Sequence, residues 1–477
     1  MGFMDIFNAV NDFIWSYILI IALIGLGLWF TIRTKFVQFR LFPEMFRVLF
    51  EKSTTQGKKD SKGTTAFQAF AISAASRVGT GNLAGVATAV ATGGPGALFW
   101  MWILALIGSA SGFVESTLAQ VYKVSDGKQF RGGPAYYIEK GLKQRWLGVV
   151  FAVVITITYG LVFNSVQSNS ISLAFNGQFD INEWVIGAIL VVLTALVIFG
   201  GLTSIAKVSQ IIVPVMAIIY IAIALYVLVT NIPALPSMFS LIFENAFGIR
   251  QIAGGGFGAA IMYGIKRGLF SNEAGMGSAP NAAATADVSH PVKQGLIQAL
   301  GVFFDTILVC SATGLIVISA GGYEGKGDSM QGIQITQNAF SHYIGDWAGI
   351  FIAIAILLFA YSSVLGNYYY GESNISYIRE NKAVLFLYRV IVLVMVLFGS
   401  VASFDLVWKL ADFTMAIMAL INLYAIWRLS PIARAALKDY MRQRKAGKDP
   451  VFYKTVLKDN HGLSTWEDAP ESSKSID

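Results

Sequence analysis

A chain of 477 residues with 55% hydrophobic and only 13% charged side chains, at a mean hydropathy of +0.61, carries more apolar surface than a soluble domain of this length needs, so its solvent is lipid. The net charge of +7 gives no support to nucleic-acid binding, because the basic residues crowd into a few loops as membrane topology and anionic lipid require. A single cysteine, Cys310, excludes a disulfide framework and a cysteine-based metal site.

A helix needs about 20 apolar residues to cross a bilayer. Runs of that kind predict spans near 14–32, 67–91, 95–122, 147–175, 184–203, 207–230, 257–287, 291–320, 346–370, 383–402 and 404–430, eleven in all. The first residues lack the basic stretch and small-residue cleavage site of a signal peptide, so the first run is expected to stay as a helix. Lys and Arg concentrate on the cytoplasmic side. The segment holding Arg33, Lys35, Arg40, Arg47, Lys52, Lys58, Lys59 and Lys62 therefore belongs inside, which places the N-terminus outside. Alternation then sets Lys123, Lys128, Arg131, Lys140, Lys143, Arg145, Lys207, Lys293, Arg379, Lys382 and the tail from Arg428 to Lys458 inside. Outside fall 176–183, without Lys or Arg, and connections carrying only Arg250 or Lys326. An even count would put the two most basic segments on opposite faces, which is why the odd count is expected.

Two of the spans are interrupted. Arg77-Val-Gly-Thr-Gly-Asn82 and Arg267-Gly-Leu-Phe-Ser-Asn-Glu-Ala-Gly-Met-Gly-Ser-Ala-Pro280 place glycines, hydroxyls, amides and charges at membrane depth. An unsatisfied backbone group in hydrocarbon costs several kcal/mol, so such breaks belong where the freed groups face a ligand, an ion or other protein. Each interrupted span opens a set of five, and two five-span units in series enter the membrane from opposite sides. The fold expected is thus all-α and integral to the membrane, with residues 1–65 as an extra helix and basic loop, 66–235 and 236–430 as inverted repeats, and 431–477 as a cytoplasmic tail. Gly93, Gly94, Gly96, Gly254, Gly255 and Gly256 read as packing glycines. Gly79, Gly81, Gly275 and Gly277 are assigned to the site, because Thr80, Asn82, Ser271 and Asn272 are interleaved with them.

A break exposes N–H groups at the start of one half-helix and carbonyls at the end of the other, with the helix dipoles adding to both. A carboxylate suits the N–H groups near Thr80 to Asn82. A sodium ion suits carbonyls near Ala75 and Val78 together with hydroxyls from another helix. Ser362 and Ser363 offer such hydroxyls, and Ser363 shares a face with Asn367, beside Tyr368, at i, i+4. A hydroxyl bonded back to its own i−4 carbonyl is the plainer reading of Ser363. Asn164, Gln167 and Ser168 form an uncharged polar stripe, read either as interhelical bonding or as a substrate wall. Arg77, Glu115, Lys266, Arg267, Glu273, Asp305, Arg389 and Asp412 are ionisable at membrane depth; structural pairing and gating are expected, such as Arg77 or Arg267 with Glu273 or Glu115. No phosphate-binding Gly-x-x-x-x-Gly-Lys string occurs, so ATP hydrolysis is not expected, and His290, His342 and His461 lack metal-ligand spacing.

Val78-Gly-Thr-Gly-Asn-Leu-Ala-Gly85, Gly93-Gly-Pro-Gly-Ala-Leu-Phe-Trp-Met-Trp102 and Gly268-Leu-Phe-Ser-Asn-Glu-Ala-Gly-Met-Gly-Ser-Ala-Pro280 resemble the signatures of the bacterial and archaeal alanine or glycine:cation symporters, over about residues 15 to 430. The resemblance implies sodium-coupled uptake of a small neutral amino acid across the cell membrane, on a core of the neurotransmitter:sodium-symporter type with one extra helix and no organic cofactor. It implies that Thr80, Gly81 and Asn82 meet the substrate carboxylate and amine, and that Gln167 and Phe270 line the pocket. Ser363 falls where a Thr is usual, and the Ala75 and Val78 carbonyls with Ser362 and Ser363 would hold sodium. Where alanine-selective members carry Trp, this chain has Asn367, a shorter side chain with both donor and acceptor, which points to a larger polar substrate and to glutamine first, with alanine, serine or glycine still able to bind. Proton coupling through Glu273 or Glu115, and an amino-acid-binding channel or receptor without coupled transport, are the alternatives.

Overall fold

The computed structural model describes residues 3–51, 63–127, 129–249, 256–321 and 332–469. Among them the only strands are Val124–Asp126 and Gln129–Arg131, a short antiparallel pair. All else that is regular is helix.

Eight helices of the described chain are long and apolar enough to cross a bilayer: Asp5–Arg33, Gly96–Val121, Arg145–Phe179, Lys207–Thr230, Pro291–Ala320, Trp347–Ile378, Lys382–Val401 and Phe404–Lys445. Each lies on one of the apolar runs of the sequence. Of the other three runs, 184–203 forms a shorter helix, Glu183–Ile198. The remaining two are split, as their glycines predicted: Ala66–Arg77 is followed by Gly81–Gly85 and Val86–Gly93, and Phe257–Asn272 by Ala279–Ala283. The expected end at 430 is overrun, since Pro431 sits inside a helix that continues to Lys445. Lys52, Lys58, Lys59, Lys62, Lys128, Arg250, Gly254, Gly255 and Lys326 lie outside the described residues.

Local chemistry sets the helix ends. The Thr65 hydroxyl accepts from the Gln68 amide while the Gln68 side chain accepts from the Thr65 N–H, a reciprocal cap that starts the first broken helix. Asn182 and Asn381 cap the helices that follow them, and the His290 ring accepts from the Val292 N–H. Three long helices contain a π-helical stretch, at Ile14–Leu19, Thr156–Phe163 and Phe303–Cys310, a distortion that frees side chains and carbonyls near functional positions in many proteins.

Burial separates an interior from a lipid face. Gly96–Val121, Pro291–Ala320 and both broken helices are buried over most of their length, whereas Leu196, Ile218 and Phe386 on Glu183–Ile198, Gly201–Thr230 and Lys382–Val401 are 73%, 68% and 58% exposed. Extended apolar exposure of this kind is what acyl chains cover. At one end of the molecule the tail folds back: the Phe452 N–H donates to the Ser289 carbonyl at 2.9 Å and the Trp466 indole N–H to the Gln120 carbonyl at 3.1 Å. Lys293 bonds Asp449 at 3.0 Å and also Glu51, and the His290 ring faces Asp439. The tail is thus a strap across the exit of the second broken helix.

Candidate functional site

The first break begins where Val78, with ψ of 89°, leaves helical geometry and ends Ala66–Arg77. Its freed N–H groups find amide oxygens: the Gly79 N–H donates to Asn82 Oδ1 at 2.9 Å and the Thr80 N–H to Gln167 Oε1 at 3.0 Å. The Thr80 hydroxyl is fully buried and has no partner. Gly79 tolerates no side chain, because a Cβ there would lie 2.2 Å from Ser363 Oγ and 2.9 Å from Gln167 Oε1. Gly81 is less tightly confined, with a Cβ position 3.0 Å from the Phe270 ring and from the Ser271 backbone.

Carbonyls at the end of the same half-helix meet the hydroxyl helix. Ser363 Oγ lies 2.8 Å from the Ala75 carbonyl and 3.1 Å from its own Phe359 carbonyl, so the bond back to its own helix is present and the hydroxyl also reaches the end of the first half-helix. Ser362 donates to Phe359 at 2.8 Å within its own helix. Hydroxyl and carbonyl oxygens gathered at a helix C-terminus are the hard, neutral donors that suit an alkali cation.

The second break brings more groups to the first. Asn82 Nδ2 donates to Asp305 Oδ1 at 2.7 Å, and the Ser271 hydroxyl donates to Asp305 Oδ2, also at 2.7 Å. Asn272 donates to Thr306 at 3.2 Å. Asp305 therefore ties the two broken helices together from the π-helical stretch Phe303–Cys310, and Cys310 Sγ sits 3.3 Å from Asn82 Nδ2 and 3.1 Å from Ser271 Oγ. Phe270 closes one wall between Phe163 and Trp408, with ring centroids 4.6 and 4.7 Å away. The centre is buried: Thr80, Asn82, Ser271, Asn272 and Ser363 are fully buried and Phe270 is 4% exposed.

Several sequence expectations land elsewhere. Arg267 pairs neither with Glu273 nor with Glu115; it bonds Asp412 at 2.7 Å and lies over Trp408, while Lys266 reaches the same carboxylate at 3.4 Å. The acid it needs stands two turns into the last helix, a separation that sequence spacing does not reveal. Arg77 donates to the Gln298 carbonyl at 3.2 Å. Glu115 instead accepts from the Gly275 and Gly277 N–H groups, both at 3.1 Å, and from Asn422 at 2.8 Å. Gly275 and Gly277, at φ of +83° and +89°, thus serve a buried carboxylate rather than the pocket. Tyr368 turns away, its hydroxyl accepting from Arg389 Nε at 2.9 Å. The stripe on the fourth apolar run divides: Gln167 reaches the break, while Asn164 and Ser168 bond carbonyls of their own helix. Gly93, Gly94 and Gly96 do pack closely, with Cβ positions 3.0 Å or less from Tyr263, Asn245 and Ala246, but Gly256 has open space around it.

Ser76, whose hydroxyl lies 2.8 Å from Asn367 Oδ1 and 2.7 Å from Glu273 Oε1, and Asp305 are the residues at the candidate site that sequence reasoning missed. Ser76 looked like an ordinary small residue of a packed helix. Asp305 was visible as a charge in an apolar run, but the π-helical turn that aims it at Asn82 leaves no mark in the residue pattern.

With that geometry in place, comparisons with known proteins give a consistent result. The sodium:alanine symporter family model matches residues 1–454. The amino-acid carrier protein AlsT of Bacillus subtilis is 57% identical, covering 99% of this chain and 99% of its own length. The probable sodium/glutamine symporter GlnT of the same organism is 54% identical over 97% and 95%, and the sodium/alanine symporter AgcS of Methanococcus maripaludis 39% over 93% and 99%. A crystal structure of a variant of the Eremococcus coleocola manganese transporter matches with a TM-score of 0.55 at 13% identity, covering 84% of this chain and 86% of that one, a likeness of fold alone.

Proposed function

Because this chain belongs to the sodium:alanine symporter family, we propose that it imports glutamine, and less selectively alanine, serine or glycine, with Na⁺ as the driving ion. Membership makes it a multi-pass membrane transporter rather than an enzyme and supports sodium-coupled amino-acid symport. The finer reading is that eleven spans, ordered as an extra helix and two inverted units over 66–235 and 236–430, rock about a midplane site, with the N-terminus outside and the tail in the cytoplasm.

One observation supports the site above others: amide N–H groups of Gly79 and Thr80 and carbonyls reached by Ser363 belong to a single break. In the substrate-bound state the amino-acid carboxylate takes those N–H groups from Asn82 and Gln167, and the Thr80 hydroxyl gains a partner. Na⁺ takes the Ala75 and Val78 carbonyls, and the Ser362 and Ser363 hydroxyls turn their oxygens towards it. Both ligands then favour one geometry of one loop, which is the differential affinity that coupling requires. Glutamine is favoured because Asn367 places a short side-chain amide beside Ser76, and because the relative named for glutamine is nearer in sequence than the one named for alanine.

The test is competition of labelled glutamine uptake into proteoliposomes by a panel of unlabelled amino acids, with and without Na⁺. Glutamine, alanine and serine should compete, glutamine at the lowest concentration, and only in Na⁺. Uptake driven equally well by a pH gradient in sodium-free buffer would replace the ion by H⁺.

A further inference from the structure

At the face that carries the tail, the outer ends of the two broken helices are joined to each other. Ala66–Arg77 begins at that face and Ala279–Ala283 ends there, so these two half-helices run between it and the site. A parallel bridge links their ends: the Thr64 N–H donates to the Thr285 carbonyl at 2.9 Å, the Asp287 N–H to the Thr64 carbonyl at 2.9 Å, and the two threonine hydroxyls meet at 2.7 Å. Gly63 packs into the same joint at φ of +82°, where a Cβ would lie 2.6 Å from the Thr285 carbonyl and from the Phe130 ring. A path from the site to this face between the half-helices opens only when the bridge parts.

The tail is laid against this joint from two directions. After the long helix ends at Lys445 the chain reverses at Gly447, at φ of +70°, and Gln443 exchanges hydrogen bonds of 2.8 and 2.9 Å with the Val451 backbone. Ser289, just past the bridge, then accepts from the Phe452 N–H at 2.9 Å and donates through its hydroxyl to the Pro450 carbonyl at 2.8 Å. Lys293, 2% exposed, bonds Asp449 at 3.0 Å and also Glu51, on the connection that leads to the first broken helix. Farther along, Trp466 and Thr465 donate to the Gln120 and Lys123 carbonyls at 3.1 and 3.4 Å, and the Lys123 ammonium donates to the Ala286 carbonyl inside the bridge. The Phe452 and Trp466 rings meet edge to face, 5.1 Å apart, so the two anchors of the strap lock on each other.

Between Gly447 and Trp466 the one regular element is the single turn Lys454–Val456, and the segment bonds to loops, helix ends and side chains rather than joining a helix or a sheet. A segment held in this way opens locally at far lower cost than the helices beneath it. We propose that residues 448–466 are a releasable latch on the gate at this face; this rests on the alternating-access reading above. Docked, the latch holds the joined ends of the two broken helices shut and slows opening of the site to the side of the tail. Undocked, it frees Ser289, Lys293 and Lys123, the bridge at Thr64 parts, and the substrate leaves between the half-helices. The tail then sets the rate of one half of the transport cycle without touching the substrate.

The experiment locks the strap and then frees it. Ser289→Cys with Pro450→Cys puts a thiol on each side of their contact, and the native Cys310 is buried, so a bifunctional thiol reagent with a cleavable disulfide, applied to purified full-length protein before reconstitution, joins that pair. Sodium-driven uptake, measured with whichever of glutamine and alanine the wild type accumulates, should fall at least about tenfold in the cross-linked protein and return on reduction. Trp466→Ala, which removes the anchor on Gln120 and the contact with Phe452, should raise the rates of uptake and of substrate exchange about threefold. Cross-linked protein that transports as fast as its reduced form overturns the latch, and so does a Trp466→Ala rate equal to or below that of the wild type. A wild-type protein that accumulates neither amino acid contradicts the symport reading itself, which separates the two failures.

Discussion

Asn367 and Ser363 stand one helical turn apart on the same face, one beside Ser76 and the other on the Ala75 carbonyl. Replacing Asn367 by Trp would drive an indole into the space around Ser76 and remove the amide. The ratio of glutamine to alanine uptake by Asn367→Trp should fall at least about tenfold, the scale of one hydrogen bond plus a filled pocket. Ser363→Ala deletes one of the oxygens assigned to Na⁺, so the Na⁺ concentration for half-maximal uptake should rise by about tenfold while expression is retained. Both residues were legible from i, i+4 spacing, and Thr80 and Gln167 from their polarity in apolar runs. What stayed hidden was partnership across helices: nothing in the residue string joins Ser76 to Glu273 or Asp305 to Asn82.

The broken helices carry the proposed site, and their glycines act in two distinct ways. At Gly79 the constraint is space, since a Cβ would sit 2.2 Å from Ser363 Oγ. Gly79→Ala should therefore abolish uptake in protein that still reaches the membrane. At Gly277 the constraint is conformation and space together: φ is +89° and a Cβ would lie 2.9 Å from Asn422, Phe151 and Pro134. Gly277→Ala should lower the thermal unfolding midpoint in detergent, by a cost of about 1–2 kcal/mol for the left-handed backbone plus the displaced neighbours. The positions of both breaks were readable from glycine and polar residues in apolar runs. Their different tasks were not, because a site glycine and a glycine that presents an N–H to Glu115 look alike in sequence.

Across the whole molecule, the tail binds the connection after the second broken helix, at Ser289, and the end of Gly96–Val121, at Gln120, with Lys123 at the junction. Lys123 donates to the Ala286 carbonyl at 2.9 Å and lies over the Phe130 and Trp466 rings, 4.2 and 5.0 Å from their centroids. Burial lowers its ammonium from the ordinary 10.5 to about 7, with Asp287 opposing the shift. Between those values the unfolded chain binds more protons than the folded one, so this group makes stability rise with pH, by up to about 1.4 kcal/mol per unit. Thermal midpoints taken from pH 7 to 10 should climb less steeply in Lys123→Met than in the wild type. The charge pattern placed this loop and the tail on one side, and they do meet, but the polar tail gave no sign that Phe452, Leu457 and Leu463 would be buried.

Sodium coupling through one break is the claim on which the rest depends, and gradient-driven accumulation tests it most directly. Purified protein in proteoliposomes should concentrate labelled glutamine when Na⁺ is high outside and stop when the gradient is collapsed, and Ser363→Ala should fail to accumulate it at Na⁺ concentrations that still drive the wild type. Accumulation of glutamine that is indifferent to the Na⁺ gradient would contradict the account.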